Sequence, residues 1–156
     1  STLFINSIPS LLSLEDFVEF NVKKYSKFET NIIYITYLKE TLTTDPKLFE
    51  EFIKQYKETL IGCGEKKAFL VVNSKEITSV DFSYVWSKMD VVSKLDELAR
   101  QYLVGTVYII NNTFFKTMGN SIMKVYKPVV PTKICNDNKE GIEFMNNVLS
   151  QLNKKD

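Results

Sequence analysis

Histidine is absent from this 156-residue chain. That removes Ser-His-Asp and Cys-His nucleophile pairs, and it removes imidazole metal ligands. Cysteine is nearly absent as well. Cys63 and Cys135 make neither a zinc site nor a disulfide framework, and a reducing, cytosolic compartment is the simpler reading. Arg100 is the sole arginine, which disfavours the bidentate contacts of nucleic-acid readout. A net charge of +1 offers no whole-molecule attraction to nucleic acid or to an anionic membrane. No apolar run approaches transmembrane length, and the first residues lack the pattern of a signal peptide. The expected location is cytoplasmic, with peripheral membrane contact allowed, and no nucleic-acid partner is expected.

What is present reads as one α/β domain over residues 1–156, divided into an N-terminal arm and helix (1–30) and a core (31–150). Ser13-Leu14-Glu15-Asp16 has the form of a capping box, and Leu14, Phe17 and Val18 then share a helical face. Asn31–Leu38 is β-branched and aromatic, and predicts a strand. Asp45-Pro46 starts a helix whose apolar positions Leu48, Phe49, Phe52, Ile53, Tyr56 and Leu60 recur at helical spacing. Gly62-Cys63-Gly64 ends it. Lys67–Asn73 is a continuous apolar run, typical of a central strand covered on both sides. A long helix is predicted over Phe82–Tyr102, with Tyr84 or Val85, Met89, Val92, Leu95, Leu98 and Ala99 as its inward stripe. A strand over Thr106–Ile110, a helix over Thr113–Tyr126 and a short strand at Lys133–Cys135 follow. Asn138 caps a final helix. The order α-β-α-β-α-β-α-β-α predicts a mainly parallel sheet covered by helices.

Few groups suit catalysis. Asp45, Glu50, Glu51 and Glu58 interleave with Lys47, Lys54 and Lys57, the pattern of a solvated, ion-paired face. Asp90, Asp96 and Glu97 read the same way. Cys63 between two glycines has no base to activate it, and the chain holds no phosphate-binding glycine loop. The expectation is a protein without enzymatic activity and without a cofactor.

Binding is better provided for. In open α/β sheets, ligands collect beyond the carboxyl ends of strands. Asn73, Ser74, Asn111, Asn112 and Thr113 are placed to line such a cleft, and equally to cap the helices that follow. Phe115, Met118, Ile122 and Tyr126 follow helical steps and suit a core, whereas Phe114 and Met123 lie off that stripe. Lys116, Lys124, Lys127 and Lys133 flank the region and suit a phosphate headgroup or an acidic surface, although dispersed solvated lysines are the commoner arrangement.

The ordered series Ile109-Ile110-Asn111, Phe115, Asn120, Ile122, Lys127-Pro128 and Lys133-Ile134 resembles the second half of the CRAL-TRIO lipid-binding domain. The run Ala68–Asn73 resembles that family's central strand. The resemblance is clear over 106–134 and looser over 31–149. It implies a fold of CRAL-TRIO/SpoIIAA-like topology and a non-enzymatic domain for a lipid or phosphoinositide headgroup, in signalling or trafficking. The implied ligand contacts are Val72, Asn73, Ile110, Asn111, Phe114, Phe115, Met118 and Ile122, with Lys116 and Lys124 at the headgroup. Only Val129–Thr132 stands where full-length members carry a gate helix. This resembles the short branch found in Rho-regulating scaffolds, which implies a protein partner such as a small GTPase. Val80-Asp81-Phe82-Ser83 resembles the STAS anti-sigma-factor antagonist domain, in which a serine at such a helix start is phosphorylated. That resemblance implies a regulatory protein-interaction module.

Overall fold

The run Ala68–Asn73 is buried at each of its first five residues. A strand directs successive side chains to opposite sides, so a run that is apolar throughout needs cover on both. Ala68, Leu70 and Val72 point into one core, and Phe69 and Val71 into a second. These sides are called face 1 and face 2 below.

The computed structural model describes residues 13–38, 45–77, 87 and 89–155. In chain order its elements are β1 (Val18–Tyr25), β2 (Thr30–Tyr37), α1 (Pro46–Cys63), β3 (Ala68–Asn73), α2 (Met89–Tyr102), β4 (Leu103–Ile109), α3 (Thr113–Val125), β5 (Thr132–Cys135) and α4 (Asn138–Lys155). Single 3-10 turns stand at Leu14–Asp16 and Ser26–Phe28. The sheet order is β1-β2-β3-β4-β5. β1 runs antiparallel to β2, and the pairs from β2 to β5 are parallel. The expected class, a mainly parallel sheet covered by helices, is the one observed. Residues 1–12 of the predicted N-terminal arm, Tyr84, Val85 and the Val80–Ser83 segment lie outside the described residues, as do the side chains of Met89 and Val92.

The start of the chain departs from expectation. The Asp16 carboxylate does accept a hydrogen bond from the Ser13 N–H, at 3.4 Å, but it closes one turn only. Val18–Tyr25 then runs as a strand rather than a helix, paired along its whole length with β2. Val18, Phe20 and Val22 alternate with Glu19, Asn21 and Lys23. That period fits a strand as well as Leu14, Phe17 and Val18 fit a helix, and the ladder with β2 decides between them. Among the described residues the order therefore opens β-β, not α-β.

The helix starts are local chemistry. Asp45 Oδ1 accepts from the N–H groups of Lys47 and Leu48 at 3.0 and 3.2 Å, so the predicted cap and the proline at the first helical position both stand. At α4 the cap moves back one residue. Asp137 Oδ1 accepts from the Glu140 N–H at 2.9 Å, and Asn138 is already helical.

β4 begins three residues before the predicted strand, directly out of α2. Its register against β3 shifts between Ala68 and Phe69, where Leu103 and Gly105 are the partners. This bulge brings Gly105 onto the Phe69 ring. A Cβ on residue 105 would lie 2.4 Å from Phe69 Cε2, and Phe69 is fully buried with nowhere to retreat.

Gly105→Ala is expected to destabilise the protein by about 1–3 kcal/mol, as overpacking does. Gly62→Ala, on an open helical position with nothing within 4 Å of the added carbon, is expected to stabilise it by up to about 1 kcal/mol. Urea denaturation of both variants checks the pair.

Candidate functional site

The two faces are covered unequally. On face 2, Met145, Val148 and Leu149 of α4 are buried against Phe69, Val71, Val107 and Ile109, and Phe144 meets Phe69 edge-on at 6.3 Å. One amphipathic helix closes that side. Face 1 is shared by α1, α2 and α3. Leu48, Phe52, Tyr56 and Leu60 of α1 are buried there with Ile33 and Ile35. α3 buries no residue at all.

Between α2 and α3, the described residues leave a groove of ≈ 390 Å³ on face 1. Its floor is Ile35, Leu70, Val72, Thr106 and Tyr108 from the sheet. Its walls are Leu95, Asp96 and Ala99 of α2, then Ile122 and Met123 of α3, with Tyr126 and Lys127–Val130 just beyond that helix. Tyr37, Phe52 and Tyr56 close one end, with Phe52 5.9 Å from Tyr37 and 6.3 Å from Tyr56.

The phenols of the groove are held in their neutral form. Burial pushes the Tyr37 and Tyr56 phenols well above their ordinary pKa, and neighbouring phenols add to it. Tyr108 keeps 37% of its surface open to the groove, yet the protein crowded around it raises its phenol too, with the Asp96 charge adding to the effect. Asp96 itself is pushed up by partial burial, against a downward pull from Arg100 and a smaller upward push from Glu97. The result is a largely apolar trough with a few hydroxyls and one carboxylate at its rim. Such a surface binds apolar groups and orients them.

Of the residues expected to contact a ligand, the structure brings Val72 and Ile122 to this groove, together with Ser74 of the polar cleft candidates. The others stand elsewhere. Asn73 Oδ1 accepts from the Lys75 N–H at 3.1 Å, and Asn112 Oδ1 from the Phe115 N–H at 3.1 Å. The Asn73 amide therefore closes a turn, and the Asn112 amide caps α3. The Ile110 N–H donates to the Cys135 carbonyl at 2.9 Å, continuing the ladder of β4 with β5. Asn111 is exposed beside it. Phe114 is 62% exposed and stacks edge-on against Phe115 at 5.8 Å. Met118 is half-buried in α3, off the groove. Lys116 is hydrogen-bonded to Asn136, while Lys124 is exposed, so the pair does not converge on one headgroup. Among the expected cationic neighbours, Lys133 pairs with Glu140 at 3.6 Å, and only Lys127 reaches the groove.

Sequence reasoning missed Tyr37, Tyr56, Asp96 and Tyr108. Strand parity was the available signal. Tyr108 alternates with Val107 and Ile109 and so faces away from them. Its meeting with Val72 depends on register, which the sequence does not state. Among the described residues no cluster of His, Cys, Asp or Glu could hold a metal, and no helix is long and apolar enough to cross a membrane.

The family model described as a domain of unknown function, DUF7793, matches residues 26–149. No curated protein matches the chain. Among solved structures, an uncharacterized protein of the DUF3478 family with a SpoIIAA-like fold, from Shewanella loihica PV-4, aligns with a TM-score of 0.60. The identity is 7%, and the alignment covers 82% of this chain and 93% of that one. At that identity the likeness concerns the fold alone. It supports the SpoIIAA-like side of the expected topology. The CRAL-TRIO expectation finds no support, because its motif spans a strand, a helix and a strand that many parallel α/β sheets share.

The phenols predict the alkaline behaviour. Their pKa values are higher in the folded than in the unfolded chain, so above about pH 10 the unfolded state sheds protons that the folded state keeps. Stability is expected to hold below that pH and to fall as pH rises through it. Urea midpoints measured across the alkaline range check this, and Tyr37→Phe should reduce the loss.

Proposed function

This chain belongs to the DUF7793 family, and from that premise we propose that it is a non-enzymatic, STAS-like regulatory module that acts by reversible protein binding in the face 1 groove. The observation that supports the reading is the unequal cover of the sheet. Face 2 is sealed by α4, while face 1 leaves Val72 and Tyr108 at the floor of an open trough. Apolar side chains of a partner entering there gain about 25 cal/mol for each Å² removed from water. The hydroxyls of Tyr37, Tyr56 and Tyr108 fix their orientation. Lys124 and Lys127 beside the α3 wall suit acidic residues flanking the inserted segment, and Asp96 on the opposite wall disfavours them there.

A lipid is the second reading. Val72 and Ile122, both expected ligand contacts, favour it because they line the trough.

Met123→Trp fills the groove from its wall, and Val125→Trp, on a residue 71% exposed, serves as the control. A partner is isolated with the wild-type chain, purified and titrated against each variant. The expected result is a Kd at least tenfold weaker for Met123→Trp and unchanged for Val125→Trp. Equal affinity for both variants, with circular dichroism unchanged, overturns the groove as the site. Native mass spectrometry separates the two readings: a co-purifying lipid that Met123→Trp expels moves the assignment to lipid.

The absence of catalysis has its own test. Burial raises both thiols above the ordinary cysteine pKa, and only the thiolate reacts. Both are expected to alkylate with iodoacetamide at neutral pH more slowly than free cysteine, with fully buried Cys135 the slower. A Cys63 faster than free cysteine would restore a nucleophile.

A further inference from the structure

β1 ends the sheet, and among the described residues no strand pairs with its outer side. The direction of its free backbone groups follows from one hydrogen bond. The Leu38 N–H donates to the Phe17 carbonyl at 2.7 Å, and the register places these residues opposite each other, one step beyond Val18 and Tyr37. In an antiparallel pair, hydrogen-bonded and non-hydrogen-bonded positions alternate. Residues 19, 21, 23 and 25 therefore turn their N–H and C=O groups inward to β2. Val18, Phe20, Val22 and Lys24 turn theirs outward. This row of open donors and acceptors is what a strand from another molecule pairs with.

We propose that β1 is the interface of a homodimer, in which two copies pair their β1 strands antiparallel about a two-fold axis at Asn21. Backbone parity and side-chain charge agree on this register. Outward-facing residues must meet outward-facing residues, so the axis falls on a residue and not between two. At Asn21 it sets Phe20 against the partner's Val22 and Val18 against the partner's Lys24. It also sets Glu19 directly opposite the partner's Lys23, twice by symmetry. These last are non-hydrogen-bonded positions, where facing side chains come closest. An axis at Val22 sets Glu19 against the partner's Tyr25, and an axis at Phe20 sets it against the partner's Asn21. Neither makes a charge pair.

The side chains are available. Glu19, Asn21 and Lys23 are exposed, and Val22 is 46% exposed on face 1 beside half-buried Phe20. Lys23 lies over the Tyr34 ring at 5.6 Å, on the same face as Glu19. Lysines on an edge strand discourage indiscriminate pairing. With Glu19 four residues away they also specify one register. The partner is thus a second copy of this chain, and the pair shares one continuous sheet.

The test is sedimentation velocity on the full chain over a concentration series, with charge reversals. Glu19→Lys alone and Lys23→Glu alone each set like charges opposite one another, and each is expected to weaken the dimer at least tenfold. Mixing the two single variants restores both opposite-charge pairs in a heterodimer, and so does combining them in one chain. Val22→Pro removes an outward N–H without touching the ladder to β2 and is expected to give a monomer with unchanged circular dichroism. A wild-type chain that stays monomeric at every concentration overturns the proposal. So does a dimer that withstands both reversals, or single variants that fail to pair when mixed.

Discussion

The ring of Phe69 occupies the space that a side chain on residue 105 would need, and this contact keeps β3 and β4 in phase. The bulge at Leu103–Gly105 adds a residue to β4 just before its regular pairing begins. From there Thr106 and Tyr108 fall on face 1 beside Val72, and Val107 and Ile109 fall on face 2 beside Phe69 and Val71. A slip of one residue would exchange the two sets. It would bury the Tyr108 phenol under α4 and turn Val107 into the groove. The floor on one face is therefore fixed by a glycine packed on the other.

Helix cover follows from the same alternation. Face 2 presents Ile32, Phe69, Val71, Val107 and Ile109, a strip that one helix can span. Among the described residues face 1 is served by three helices, and α3 reaches it with no buried residue. α3 leans on β5 at one close point, where a Cβ on Gly119 would meet Ile134 Cδ1 at 2.7 Å. Helices with few buried side chains belong to the low-stability end of a fold. The wall of the groove is thus its most yielding part, and the floor, built on β3, its most rigid.

Much of this was legible in the sequence, and for local reasons. Asp45-Pro46, the glycines around Cys63 and the uninterrupted run at Ala68–Val72 each act through chemistry within a few residues. The α/β class followed from them. The strand at Val18 was not legible, because its apolar residues satisfy two periods and only pairing with β2 chooses between them. The candidate site was legible in part. Val72 and Ile122 were expected, while Asn73, Asn111, Phe114 and Lys116, also expected at a ligand, stand off the groove. Asp96 was read as part of a solvated helix face, and its helix does expose it, but at the rim of the groove. Tyr37, Tyr56 and Tyr108 meet there only through strand register and helix placement, which are relations between distant segments.

The two edges of the sheet differ in a way that reaches beyond the single molecule. β5 has four residues, its Lys133 is tied to Glu140, and α3 stands beside it. β1 has eight residues and, among the described residues, no such cover. A sheet of this kind has a valence of one: it can accept a strand on one side and has little to offer on the other. Addition to β1 consumes the only long edge, so the process terminates itself after a single step. The brevity of β5 is then what separates a closed pair from an open-ended filament.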